Sequence, residues 1–163
     1  MELLHNDRVD IRLYSPQALA FLGDAVYEIL VRERIVHKAN MPVNKLHLQA
    51  VEQVRASYQS RAYAVIEPML DEEELAALKR GRNISSIKPP KNGNMTDYRR
   101  ATGLECLFGY LYLQGKIERI NQLFAEIESQ LEPNEEIKAK QAEKSMDGNS
   151  PSMLFLPCFF KNQ

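Results

Sequence analysis

Cysteine is scarce in this chain: Cys106 sits inside an apolar run and Cys158 near the end, and they show neither the spacing of a zinc site nor a disulfide framework. Both read as reduced thiols. A charge excess of one sign is also missing, since 21 Lys and Arg stand against 22 Asp and Glu for a formal net charge of -1. That balance excludes nucleic-acid binding by the whole surface and confines any such role to a local patch. No apolar stretch reaches membrane-spanning length, and the N-terminal MELLHNDRVDIRLYSP carries charges throughout, with no apolar core ahead of a small-residue cleavage site. The expected location is cytoplasmic. Strand alternation, internal repeats and low-complexity tracts are absent too. With 163 residues, 44% of them hydrophobic, the chain has enough material for one core. The expectation is a single all-α domain over 11–131 followed by a mobile C-terminal extension over 132–163.

What is present is helical periodicity. Ser15 followed by Pro16 marks a helix start, and apolar spacing continues from there to about His37. After a break at Ala39-Asn40-Met41-Pro42, Leu46, Ala50, Val51, Val54, Tyr58, Ala62 and Val65 predict one second helix ending near Glu67-Pro68. Asp71-Glu72-Glu73-Glu74 is a capping signal for a short third helix, with Lys79-Arg80 in its last turn and Gly81 as its stop. RNISSIKPPKNGNM, from Arg82 to Met95, carries two prolines and a glycine among Asn and Ser and predicts a long loop. Thr96 then caps a strongly apolar helix closed by Gly115, and KIERINQLFAEIESQL gives an amphipathic helix with Ile117, Ile120, Leu123, Phe124 and Ile127 inward. After Pro133 the chain is polar as far as Asn149 and then apolar in MLFLPCFF. That last burst is open to several readings: docking on the domain, an assembly contact, a remnant foreign to the domain, or a peripheral tail.

Two acids stand out against the apolar background. In ALAFLGDAVYE, Asp24 shares a helical stripe with Gln17 and Ala20, beside the small residues Gly23 and Ala25. A second backbone or a ligand can approach closely there. In ATGLECLFGYLYLQG, Glu105 is the only acid, and Thr102 lies one turn earlier on the same face. An isolated carboxylate in low dielectric is costly unless something positive stands beside it. A divalent cation meets that need, and Mg²⁺ takes one or two carboxylates completed by water and phosphate oxygens. Arginine partners, or hydration at the domain rim, meet it as well, and spacing alone does not choose between them.

The residues around these acids carry a family resemblance. FLGDAV, Phe21 to Val26, resembles the signature of ribonuclease III, and LECLFGYLYLQG resembles its second acidic helix. KRGRN, the Pro- and Asn-rich loop, and TDYRRATGLECLFGYLYL follow in the order of the Mini-ribonuclease III branch, which has the nuclease domain without the double-stranded-RNA-binding domain. The resemblance runs from about Ile11 to Leu131. It implies an all-helical homodimer whose two active sites flank a groove for duplex RNA. The implied activity is that of a Mg²⁺-dependent endoribonuclease, with Mn²⁺ able to substitute, acting in maturation of large-subunit ribosomal RNA precursors. It also implies that Asp24 and Glu105 are the catalytic metal ligands. The departures are Gln17 and Ala20, where full-length ribonuclease III has further acids, and Thr102, where it has an aspartate. Two carboxylates can hold one Mg²⁺ with water; a second ion would lean on phosphate.

Between Lys79 and Arg100 lie seven basic residues, Lys79, Arg80, Arg82, Lys88, Lys91, Arg99 and Arg100, against the single acid Asp97, a local charge of +6. This is the patch that the overall balance demands, and it makes these residues the candidate RNA contacts. A merely solvated loop is the plain alternative; the neighbouring acidic helix, and Pro89, Pro90 and Gly93 shaping the loop, favour RNA. Duplex RNA offers phosphates, shape and 2′-hydroxyls more than base edges, so strict sequence reading is not expected. Hydrolysis at a carboxylate-held metal needs no histidine base, and His5, His37 and His47 occupy no motif. Glu28 is expected to pair with Arg32 at i,i+4. Tyr110, Leu111, Tyr112 and Leu113 leave no polar face over their turn, which suits a subunit interface or, failing that, the centre of a monomer core. The rival function is a non-catalytic ribonuclease III-like RNA-binding dimer, although a dead scaffold has no reason to keep costly acids at both positions. A nucleotide pyrophosphohydrolase would want clustered glutamates on facing helices, and only Asp71 to Glu74 come close.

Overall fold

The computed structural model describes residues 10–85 and 93–131. Lys88, Lys91, both loop prolines, His5, Cys158 and the whole C-terminal extension lie outside the described residues. A short 3-10 turn, Ile11–Leu13, leads into α1 (Pro16–Lys38), α2 (Val43–Val54) and α3 (Ala56–Ile66). A second turn, Glu67–Met69, precedes α4 (Glu72–Arg82), α5 (Met95–Leu113) and α6 (Ile117–Leu131). The described residues contain no strand, as the periodicity predicts. None of their helices is long and apolar enough to cross a membrane.

Local chemistry sets most of the boundaries. Ser15 Oγ accepts from the Ala18 amide at 3.1 Å, with Pro16 in the first turn. Asp71 and Glu74 form a reciprocal capping box: the Asp71 carboxylate takes the Glu74 amide at 2.8 Å and Glu74 takes the Asp71 amide at 3.2 Å. Gly115, at φ 70°, closes α5, with the Lys116 amide reaching the Leu111 carbonyl and the Gly115 amide reaching that of Tyr112.

Three expected boundaries are corrected. The predicted second helix is two helices, broken at Arg55, whose backbone is extended (φ -67°, ψ 148°) and whose carbonyl starts α3 by accepting from Tyr58 and Gln59. Ala50 before the break and Tyr58 and Ala62 after it are all buried, so the apolar spacing carries no sign of it. Gly81 does not stop α4, which continues to Arg82. A Cβ there would lie 2.4 Å from Cys106 Cβ and 2.8 Å from the Thr102 carbonyl, so this glycine serves close packing against α5. The cap of α5 is Asn94 rather than Thr96, because the Asn94 side chain accepts from the Thr96 amide at 2.9 Å.

The core is organised around α5. From Ala101 to Leu111 every residue but Thr102 is buried, and α1, α3, α4 and α6 all pack on this helix. Tyr27 of α1 meets Phe108 of α5 and Phe124 of α6 edge to face, at 5.6 and 5.7 Å between ring centroids. Of the all-round apolar turn, Tyr110 and Leu111 are buried by their own chain, while Tyr112 and Leu113 are half-buried. At the far end, Arg119 of α6 grips the buried Glu74 with two hydrogen bonds of 2.9 Å and also donates to the Met69 carbonyl at 2.8 Å. This buried pair is well satisfied and joins the start of α4 to α6.

Candidate active site and nucleic-acid interface

α1 and α5 touch backbone to backbone. A Cβ on Gly23 would stand 1.7 Å from the Glu105 carbonyl oxygen, and one on Gly109 would stand 2.0 Å from that of Leu19. Only glycine at both points lets the helices approach this far. Asp24 follows Gly23, so the crossing sets Asp24 and Glu105 on neighbouring turns of two helices in direct contact. Glu105 is 5% exposed, whereas Asp24 is half-buried. By helical geometry Asp24 stands at the seam between the buried face of α1 and its outward face.

The flanking positions do not extend the acid set. Gln17 is exposed, Ala20 is buried, and the Thr102 hydroxyl donates back to the Tyr98 carbonyl at 3.0 Å. Among the described residues no group of three or more His, Cys, Asp or Glu is placed to hold a metal. Asp24 and Glu105 are both oxygen donors, the kind that a hard divalent cation takes together with water and phosphate. They do not fit a closed structural zinc site. Glu28 hydrogen-bonds Arg32 at 3.0 Å, as expected from their spacing, and so is engaged elsewhere. A cleft of about 300 Å³ between α1 and α6, lined by Leu30, Arg34, His37, Phe124 and Glu128 among others, includes neither Asp24 nor Glu105. It borders the Arg34–Glu128 ion pair.

The basic residues separate into two kinds. Lys79 and Arg99 are exposed. Arg80, also exposed, donates to the Tyr14 carbonyl at 3.0 Å and ties α4 to the segment ahead of α1. Arg82 and Arg100, on either side of the loop, are half-buried and converge on Tyr63 of α3. Sequence reasoning missed Tyr63, because nothing in a local pattern links a tyrosine to arginines 19 and 37 residues away. It also missed the outward face of α1, where Phe21 is 85% exposed, Val36 60% and Ile29 46%, with Ala25 in line. The repeat of apolar residues on both sides of α1 was the available signal.

This arrangement has counterparts among known proteins. The ribonuclease III domain family matches residues 17–116, a span that takes in both acids and the loop between α4 and α5. The chain belongs to the ribonuclease III family. Within it, Mini-ribonuclease 3 of Thermoanaerobacter sp. is 46% identical over 67% of this chain and 77% of its own length. Mini-ribonuclease 3 of Brevibacillus brevis is 45% identical over 74% and 93%. A crystal structure of a Fusobacterium nucleatum protein superposes with a TM-score of 0.66 at 36% identity, covering 72% of this chain and 95% of that one. The expected branch, Mini-ribonuclease III, is thereby established, and the chain is an endoribonuclease. Ribonuclease III proteins act on double-stranded RNA, use a divalent metal and work as dimers.

Proposed function

We propose that this ribonuclease III-family endonuclease cuts duplex RNA in a Mg²⁺-dependent reaction, with Mn²⁺ able to substitute, at a site whose metal ligands are Asp24 and Glu105. The observation that carries the reading is the glycine-mediated contact of α1 with α5, which puts these two acids on adjoining turns. The buried Glu105 supplies a fixed ligand and the half-buried Asp24 one that faces incoming substrate. A divalent cation bound there supplies charge relief on the phosphodiester and lowers the pKa of the attacking water. The chain's own part is to hold two carboxylates at fixed separation and to bring the duplex to them. Lys79, Arg80, Arg82, Arg99 and Arg100, with Lys88 and Lys91 of the intervening loop, neutralise phosphates.

The working unit in this proposal is a homodimer joined through the outward face of α1. Phe21, Ala25 and Ile29 line up there with Val36 beyond the Glu28–Arg32 ion pair, exposed among the described residues, which suits a second copy of the same face. Asp24 borders this face, so pairing brings two sites to the rim of one groove. Residues 11–131 are the catalytic domain, and a precursor of the large-subunit ribosomal RNA, in the cytoplasm, is the substrate that the resemblance to Mini-ribonuclease III implies. A labelled RNA hairpin is the direct test. Wild type cleaves it with Mg²⁺ and not with chelator, while Asp24→Asn stays folded, still retains the hairpin in gel shift, and leaves it intact. Full cleavage by Asp24→Asn would remove this acid from the mechanism.

A further inference from the structure

Tyr63 is the buried point at which both ends of the basic loop meet. Its side chain is 0% exposed, yet its hydroxyl is bonded on two sides: it accepts from Arg82 Nη1 at 3.1 Å and donates to Glu67 Oε1 at 3.1 Å. The guanidinium of Arg100 lies over its ring, 5.6 Å from the centroid, within cation–π range. Gly103, one turn after Arg100, makes room for this: a Cβ there would come within 3.2 Å of both the Tyr63 ring and Arg82 Cβ. Arg82 closes α4 and Arg100 lies in the second turn of α5, so one side chain of α3 contacts a residue on each side of the loop. Arg82 Nε also donates to Asn83 Oδ1 at 3.2 Å.

We propose that Tyr63 is a positioning residue for substrate binding, holding Arg82 and Arg100 at the base of the loop so that their remaining N–H donors face RNA phosphates. The proposal rests on the reading of this loop as the RNA contact. The hydroxyl acts as a spacer. Glu67 and Arg82 carry opposite charge and sit on the same phenol oxygen; the hydroxyl keeps them one bridging atom apart. Without it Arg82 either closes directly on Glu67, and its charge is masked, or swings into solvent and loses its orientation. The ring does the corresponding work for Arg100, providing a face to stack on without taking up its hydrogen bonds.

The test is duplex-RNA affinity and single-turnover cleavage in full-length protein carrying Tyr63→Phe, Arg82→Gln, or both. Because Tyr63→Phe loses the bond to Arg82 from free and RNA-bound protein alike, only the orientation of Arg82 is at stake, and Kd should rise about 3- to 10-fold while the cleavage rate at saturating enzyme stays unchanged. A fold-wide defect would lower both. The double variant should bind no worse than Arg82→Gln alone, since Tyr63→Phe acts through that arginine. Arg82→Lys, which keeps the charge but cannot reach Tyr63 and Asn83 together, should match Tyr63→Phe, and it serves the same purpose if Tyr63→Phe does not fold. If Arg82→Gln and Arg100→Gln both bind as wild type does, these two arginines are not RNA contacts and the proposal falls with that part of the reading. If they weaken binding while Tyr63→Phe and Arg82→Lys do not, or if the Tyr63→Phe and Arg82→Gln losses add, the loop reading stands and the role of Tyr63 is refuted.

Discussion

Replacing Gly23 with alanine tests the crossing on which the site is built. The new methyl carbon would lie 1.7 Å from the Glu105 carbonyl oxygen, 2.7 Å from its carbonyl carbon and 2.6 Å from the Gly109 amide nitrogen. Ordinary contact at a Cβ begins near 3.4 Å. All three obstacles are backbone of a buried helix, which cannot turn aside as a side chain does, so α1 and α5 must separate by about 1.5 Å. That opens the most extensive helix pairing among the described residues. Overpacking of this kind costs about 1–3 kcal/mol and more where the neighbours are rigid; about 2–4 kcal/mol is expected here. The same displacement separates Asp24 from Glu105, and a misplacement of about 1 Å can cost about 100-fold in rate. Urea unfolding followed by circular dichroism gives the first quantity. Single-turnover cleavage of a hairpin, at a temperature where the variant is folded, gives the second. Gly115→Ala is the matched control: at φ 70° it strains the turn after α5 by about 1 kcal/mol, without entering the crossing, and should leave the rate alone. If Gly23→Ala unfolds within about 0.5 kcal/mol of wild type and cleaves at the wild-type rate, the contact does not hold the site together.

Further predictions follow from the surface, a buried ion pair and a thiol. Phe21→Asp should convert the proposed dimer to monomer in analytical ultracentrifugation while the far-UV spectrum is kept, because Phe21 is 85% exposed on its own chain; a dimer in wild type and variant alike would place the interface elsewhere. Arg119→Met leaves Glu74, 2% exposed, without its guanidinium partner, and should cost about 3–5 kcal/mol in urea unfolding; a cost below about 1 kcal/mol would show the pair to be dispensable. Burial pushes the Cys106 thiol up to about 11 from the ordinary 9.0. The folded state therefore favours the protonated thiol: its contribution is intact below pH 9 and is lost as pH rises from 9 to about 11. In a Cys158→Ser background, the stability difference between Cys106 and Cys106→Ala should shift by about 2–3 kcal/mol across that window, and a constant difference would contradict the burial effect.

The helices were legible where local chemistry decides them. Ser15-Pro16, the Asp71 capping box and Gly115 each act within one turn, so a sequence window contains cause and effect together. The errors fall where the deciding partner is remote. Gly81 reads as a stop because glycine after a basic pair ends many helices; its actual constraint is the Thr102 carbonyl on another helix. The apolar turn at Tyr110 is open to two readings in the sequence because a window cannot count how many helices of the same chain will cover it, and here Tyr110 and Leu111 are so covered. Asp24 and Glu105 were visible because an acid in an apolar helix is an anomaly wherever its partner lies. Tyr63 was not, since a tyrosine in an amphipathic helix is ordinary until Arg82 and Arg100 are seen on it.

The spacing of small residues along α5 ties these observations together. Gly109 and the Glu105 carbonyl meet α1, Thr102 and Cys106 meet Gly81 of α4, and Gly103 meets Leu78, Arg82 and the Tyr63 ring. One helix thus runs from the acid pair to the base of the proposed RNA loop, and its contacts through Glu105, Gly109, Thr102 and the Leu78 carbonyl are to backbone, which no rotamer change can move. In the proposed site, with Asp24 and Glu105 as its ligands, that rigidity would take on more of the catalytic task, because water or phosphate held in a fixed place has to complete the set. A substitution at Gly103 should therefore differ from one at Gly23. A Cβ at Gly103 would press on the Leu78 carbonyl at 2.9 Å and on Arg82 and Tyr63 at 3.2 Å, on the side away from α1. Gly103→Ala is expected to raise the Kd for duplex RNA at least as much as Tyr63→Phe does while the bound complex still cleaves, whereas Gly23→Ala lowers the rate of the bound complex. Gel shift and single-turnover cleavage on both variants separate the two outcomes, and equal effects on binding and rate in both would mean that α5 does not divide its faces in this way.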